Sequence, residues 1–146
     1  MSVIGVTYEN VVMADLDDMS FRRVKRLAFK AVKRFNLGGF IILKSSRGNY
    51  HVVFNEPKDR FEVFQIIGWI GITANNPNVW KWVCMQAVKG ALTLRLSPKP
   101  LSDGGFKPPP KVVYRYGEQD KCIKDFLKIR RNVLNAFKCR KIQSKT

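Results

Sequence analysis

Acidic residues and histidine are scarce in this sequence. Its 146 residues include 11 Asp and Glu against 27 Lys and Arg, which gives a formal net charge of +16. A charge so far from neutrality predicts an anionic partner, nucleic acid first and anionic lipid second. The single histidine, His51, excludes a rolling-circle nicking enzyme, whose metal site needs two nearby histidines. No spacing favours a cysteine or serine hydrolase.

Long apolar runs and paired cysteines are also missing. No stretch of about 18 apolar residues could span a bilayer, and the N-terminus lacks a signal-peptide pattern, so we expect a soluble cytoplasmic protein. Cys84, Cys122 and Cys139 are odd in number and widely spaced. This spacing suits neither a disulfide framework nor a zinc site, so we expect reduced thiols.

The hydrophobic content of 45% is enough for one core. We therefore expect a single domain over residues 1–139 and a basic tail over 140–146. The predicted elements, in chain order, are a strand at 11–16, a helix at 21–35, strands at 40–44 and 50–55, a helix after Pro57, a helical segment at 79–89, strands at 91–96 and 111–116, and a final helix. The proline- and glycine-rich connection at 98–110 is expected to be mobile.

This order of elements contains the β-α-β-β-α-β sequence of a split βαβ sheet. It predicts an α+β fold with an antiparallel RRM-like, or ferredoxin-like, sheet. Helices would pack on one face, an extra helix would follow at the C-terminus, and the other face would stay free for a ligand.

Three carboxylates follow the first predicted strand. Asp15 and Asp17 are two residues apart and would project from the same face, with Asp18 next to them. Carboxylate oxygens suit one or two Mg²⁺ or Mn²⁺ ions, which accept substrate phosphates in their remaining positions. Acidic residues before a helix also act as caps and complement the helix dipole, and this structural interpretation stays open.

A basic, hydroxyl-rich turn precedes His51 in the predicted hairpin. It contains Lys44, Ser45, Ser46 and Arg47. A histidine on a strand is more often a packing residue than a catalytic one, but hydroxyls, turn amides and cations together suit a triphosphate.

Together the two motifs resemble the catalytic core of archaeo-eukaryotic-type primases. The resemblance rests on two stretches within residues 11–97: the apolar-Asp-Leu-Asp end of the first strand and the motif Ser-Ser-Arg-Gly-Asn-Tyr-His-Val-Val. The resemblance implies a divergent RRM-like sheet and a metal-dependent nucleotidyltransferase acting in plasmid or virus replication. It implies Asp15 and Asp17 as metal ligands that are catalytic together with His51. Ser46, Arg47 and His51 would then hold the nucleotide's triphosphate.

The third motif of that family, a carboxylate on a later strand, has no counterpart here. Leu92 to Ser97 offers Arg95, which we assign to nucleotide binding, but no acid. A site without one ligand can bind nucleotide or template without catalysis. The alternative is therefore a non-catalytic, basic nucleic-acid-binding module on the same fold.

Two further features point to nucleic acid, with DNA as the first candidate. One face of the predicted helix at 21–35 carries seven cations, which would track phosphates or be merely solvated. These are Arg22, Arg23, Lys25, Arg26, Lys30, Lys33 and Arg34, and the first six are assigned to nucleic-acid binding. Tyr114-Arg115-Tyr116 alternates on a strand, which puts both rings on one face, where they would stack bases unless they are core residues. A scaffold for other polyanions or an anionic membrane surface is a third class.

Overall fold

A four-stranded antiparallel sheet forms the centre of the protein. The computed structural model describes residues 3–143, with side-chain burial through Lys138. The elements are β1 (Gly5–Tyr8), β2 (Met13–Asp17), α1 (Phe21–Phe35), β3 (Gly39–Ser46), β4 (Asn49–Phe54), α2 (Arg60–Ala74), α3 (Pro77–Lys89), β5 (Leu92–Arg95), β6 (Lys99–Pro100), β7 (Phe106–Lys107), β8 (Lys111–Gly117) and α4 (Cys122–Gln143). The helix α4 covers 140–143 of the expected basic tail, and 144–146 lie outside the described residues.

The central sheet has the strand order β2-β4-β3-β8. This arrangement confirms the α+β class and the antiparallel sheet with helices. Strand β4 lies between β2 and β3. The helix α1 connects β2 to β3 along the chain, and β8 pairs with the other edge of β3. The strand β5 pairs with β1 in a separate two-stranded ribbon. The full RRM-like strand order is therefore not established by this sheet.

Both faces of the central sheet are covered. The order of elements predicted that one face would stay free for a ligand, and the structure corrects this expectation. In β3 the residues Gly39 to Leu43 are consecutively buried, and in β4 Tyr50 to Phe54 are buried as well. Successive strand residues point to opposite faces, so neither face is open to solvent at these strands. On one face, Phe29 of α1 packs edge-on against Phe40 at 5.1 Å.

The opposite face lies beneath α4. This helix contacts β4, and the guanidinium of Arg130 donates to the carbonyl of Pro110, which directly precedes β8. Phe126 and Ile123 of α4 are fully buried. The sequence pattern identified the apolar side of this helix, but a helix pattern does not say which face of a sheet it covers.

Local capping explains the bounds of α1. The hydroxyl of Ser20 accepts from the amide of Arg23, and Asn36 ends the helix in the left-handed conformation. Such a side chain at the N-cap satisfies an amide that has no partner within the helix. The buried side of α1 consists of Val24, Leu27, Ala28 and Ala31, so its cations face outward.

Three short strands, β1, β6 and β7, were missing from the sequence prediction. The strand β1 pairs with β5, and the expected mobile connection contains the β6–β7 hairpin. Arg95 holds that connection through a hydrogen bond of 3.2 Å to the carbonyl of Pro108. Within residues 3–143, no helix has the length and apolar character needed to cross a membrane.

Candidate functional site

The acidic strand end and the histidine meet on one face of the sheet. Antiparallel pairing of β2 with β4 puts Asp15 directly opposite His51 and Asp17 opposite Asn49. His51 Nε2 lies 3.5 Å from Asp15 Oδ1. Directly opposite residues of an antiparallel pair share a face, so the register alone brings the two groups together.

The end of β2 is fixed from a distant part of the chain. Asn76 caps α3, and its side-chain amide donates to the carbonyls of Asp17 and Asp18 at 3.0 and 2.9 Å. The amide of Asp18 in turn donates to the side chain of Asn49 at 3.1 Å. These bonds hold the acidic strand end in place and leave the Asp15 side chain 24% exposed to a ligand.

The close contact between Asp15 and His51 is not an ion pair at neutral pH. Burial, followed by the charge of Asp17, raises the pKa of Asp15 to about 8. Burial, followed by the positive charges of Arg95 and Lys107, lowers the pKa of His51 to about 3. The imidazole is therefore neutral. Among the described residues, the buried atoms Asp15 Oδ1 and His51 Nδ1 find no hydrogen-bond partner.

Arg95 is held rigidly beside these groups. Its guanidinium donates to Ser45 Oγ at 3.1 Å, to the carbonyl of Pro108 at 3.2 Å and to the carbonyl of Ser97. Its charge favours the ionised form of Asp15 and the neutral form of His51. Arg95, a site residue predicted from the sequence, therefore lies beside Asp15 and His51. Its role in nucleotide binding stays a prediction.

Lys107 is a site residue that sequence reasoning missed. It lies on β7, in the connection expected to be mobile, and its positive charge acts on both Asp15 and His51. A lysine between glycines and prolines carries no local signal of function. Only the return of the hairpin to the end of β5 brings it to the site.

Ser46 and Arg47, two of the predicted triphosphate ligands, contact other residues than Asp15 and His51. Ser46 Oγ accepts from the side chain of Asn49 at 2.7 Å. Arg47 lines a cavity of about 490 Å³ at the start of α1, together with Ser20 and Lys44. In the described chain, no hydrogen bond or ion pair joins either residue to the Asp15–His51 pair, and Ser45 is the hydroxyl linked to the site through Arg95.

The residues at the site supply only some of the ligands that a divalent cation needs. Asp15 and Asp17 are close enough for the charge of one to raise the pKa of the other, and Asp15 Oδ1 is unpartnered. Over the part of the chain that the structure describes, no group of three or more His, Cys, Asp or Glu could hold a metal ion. Mg²⁺ often uses one or two carboxylates and takes the rest of its ligands from substrate phosphates and water, which is the mode these residues fit.

The outer side of α1 is a basic surface without acidic partners. Arg22, Arg23, Arg26, Lys30 and Lys33 are exposed. None of the salt bridges found among the described side chains includes a residue of α1. Lys25 is half-buried, with its ammonium 4.4 Å from the ring centre of Tyr114.

The two tyrosines of β8 lie on the sheet face that α1 packs against. Phe29 contacts Tyr116 at 4.6 Å and Tyr114 at 6.3 Å between ring centres. Tyr114 is half-buried against the core, whereas Tyr116 is 41% exposed. Their role in stacking bases stays a prediction. Arg115, between them, is exposed and points to the opposite face.

Comparison with known proteins assigns no family to this chain. Scans against protein-family models, curated proteins and solved structures each found no match.

Proposed function

We propose that this chain is a primase-like nucleotidyltransferase core that binds a nucleoside triphosphate at the Asp15–His51 site. The supporting observation is the register of β2 and β4, which joins the acidic motif to the histidine motif. Arg95 and Lys107 add two cations to the same place. Phosphoryl transfer depends on positioning and on neutralising phosphate charge, and these groups are suited to both tasks.

Each residue has a distinct role in this proposal. Asp15 and Asp17 would hold Mg²⁺ or Mn²⁺, which when bound supplies charge neutralisation at the phosphates. Arg95 and Lys107 bind phosphate oxygens as charge-assisted donors. Arg95 needs little reorganisation because Ser45, Ser97 and Pro108 already fix its guanidinium. His51 contributes a neutral ring N–H as a donor.

The nucleic acid in this proposal is DNA, bound to the exposed cations of α1. An excess of 16 positive charges and a helix face without ion pairs are suited to a phosphate backbone. The expected setting is replication of a plasmid or virus inside a cell, on a divergent RRM-like sheet.

A non-catalytic nucleic-acid-binding module is the second candidate. Two observations favour it: the described residues offer no third carboxylate at the site, and the pKa of about 8 keeps Asp15 largely protonated at neutral pH. A protonated carboxyl is a poor metal ligand. Such a module would bind template and not incorporate nucleotides.

Nucleotide incorporation on a single-stranded DNA template, with Mg²⁺ or Mn²⁺, separates the two candidates. We expect product from the unaltered protein and a loss of about a hundredfold or more in Asp15→Asn and His51→Gln, which remove groups aimed at the reacting phosphates. Glu9→Gln is the matched control, because Glu9 is an exposed carboxylate in the connection between β1 and β2 and is not one of the site residues.

Three results would contradict the enzyme proposal. One is the absence of product while the unaltered protein and Asp15→Asn bind template equally, which supports the module instead. The second is product that survives both substitutions. The third is equal affinity for DNA, heparin and anionic vesicles, which would indicate a general polyanion-binding scaffold.

A further inference from the structure

A groove of about 560 Å³ lies beside the Asp15–His51 site. It runs between the end of β3, the proline segment before β8 and the middle of α4. Its lining residues are Lys44, Ser45, Ser46, Pro108, Pro109, Lys111, Val113 and Arg130.

The charges of this groove all have one sign. Lys44, Lys111 and Arg130 contribute cations, and no acidic residue is among the lining side chains. Arg130 is held in place by two hydrogen bonds, from Nε and Nη2, to the carbonyl of Pro110. Burial, and then the positive charge of Arg115, lowers the pKa of Arg130. Cations held together without carboxylates are suited to a chain of phosphates.

The lining of the groove is also partly apolar. It includes Pro108, Pro109 and Val113, of which Val113 is 42% exposed. Apolar residues and cations in one groove offer surface to a base and sugar as well as to phosphate. In single strands the base faces are accessible, whereas in a duplex they are stacked and only the backbone reaches the protein.

The groove is continuous with the proposed nucleotide site through one side chain. Arg95 donates to Ser45 Oγ and to the carbonyl of Pro108, and both residues line the groove. The same guanidinium acts on Asp15 and His51. A strand in the groove would therefore reach the nucleotide site at Arg95.

We propose that this groove binds single-stranded nucleic acid, with phosphates on Lys44, Lys111 and Arg130 and a base over Pro108, Pro109 and Val113. The role of that strand as template or primer rests on the function proposed above. Binding itself requires neither the metal nor the nucleotide, so the two proposals can fail separately.

The test is fluorescence anisotropy of a labelled single-stranded oligothymidylate at several salt concentrations. The variant is Lys44→Gln/Lys111→Gln, and the control is Lys81→Gln/Lys124→Gln, which removes the same charge from two exposed lysines of α3 and α4. We expect the groove variant to bind about tenfold more weakly, with its salt slope reduced by about 0.7 for each lost phosphate contact. The control should change little.

A second measurement maps the contact directly in the unaltered protein. Ultraviolet crosslinking of a 5-iodouracil oligonucleotide, followed by peptide mass spectrometry, should label residues 108–113. Equal losses of oligonucleotide affinity in the groove variant and its control would overturn the proposal. Crosslinks confined to α1 would do the same. So would duplex binding that depends on Lys44 and Lys111 as strongly as single-strand binding does. Metal-dependent nucleotide binding, measured in the same variants, shows separately whether the Asp15–His51 site functions.

Discussion

Arg95 joins two segments that lie far apart in the sequence, since its guanidinium donates both to Ser45 Oγ in β3 and to the carbonyl of Pro108 after β7. The β6–β7 hairpin, and Lys107 with it, is thereby tied to the central sheet. A single side chain thus links the predicted site residues to the groove beside them.

Arg95→Lys should loosen this hairpin while keeping the positive charge. A lysine ammonium cannot reproduce the planar fork of donors that reaches three acceptors. We expect faster amide hydrogen exchange over residues 99–107 and weaker nucleotide binding, measured by mass spectrometry and by titration of a labelled nucleotide. Unchanged exchange over that hairpin would mean that Arg95 does not anchor it.

The stability of the metal-free protein should fall as the pH rises from about 6.5 to about 8, because below about 6.5 the opposite contribution of His51 offsets that of Asp15. The folded pKa of Asp15 is about 8, whereas its ordinary value is 3.8. In this interval the folded state binds more protons than the unfolded state, so the unfolding free energy decreases with increasing pH. Denaturant titrations in a chelating buffer at several pH values measure the effect.

Asp15→Asn is the matched variant for this pH dependence, because asparagine cannot ionise. Its unfolding free energy should decrease less over the same interval. His51 acts in the opposite sense at lower pH: its folded pKa of about 3 lies below the ordinary 6.5, so its contribution to stability is lost as the pH falls from about 6.5. A pH profile that is identical in Asp15→Asn and the unaltered protein would show that this carboxyl titrates normally.

Phe40→Ala should destabilise the fold strongly. The Phe40 ring is fully buried between α1 and β8, with Phe29 at 5.1 Å and Tyr114 at 5.9 Å. Truncation of a buried phenylalanine costs about 3 to 5 kcal/mol because it removes apolar burial and leaves a cavity. Phe61→Ala is the control, since Phe61 is 82% exposed and its loss should cost less than about 0.5 kcal/mol. Equal losses of unfolding free energy in Phe40→Ala and Phe61→Ala, measured by urea titration, would contradict this packing.

Removal of charge from α1 should weaken DNA binding uniformly across sequences. Arg26→Gln/Lys30→Gln changes two exposed cations and leaves the buried side of the helix intact. Each lost phosphate contact should reduce the salt slope by about 0.7 to 0.9, as measured by anisotropy. An unchanged slope would leave the basic side of α1 as an ordinary solvated surface.

Local patterns were sufficient for much of the fold. The 3.6-residue periodicity predicts α1, and Gly48 and Asn49 between two β-rich runs predict the β3–β4 hairpin, whose turn is Arg47–Gly48. These features depend on residues a few positions apart, so the sequence alone contains them. The charge of +16 and the near absence of balancing acids on α1 are likewise properties of the sequence.

The composition of the site depended on tertiary structure. The sequence suggested that Asp15 and His51 meet, but it pointed to Ser46 and Arg47, whereas Arg95 contacts Ser45 and the β6–β7 hairpin contributes Lys107. The alternation of β8 placed Tyr114 and Tyr116 on one face, and only the tertiary structure decided that Phe29 of α1 contacts both rings. Each of these outcomes depends on which distant segments pack together. A strand or helix pattern shows which side is apolar, and only the assembled core decides what covers it.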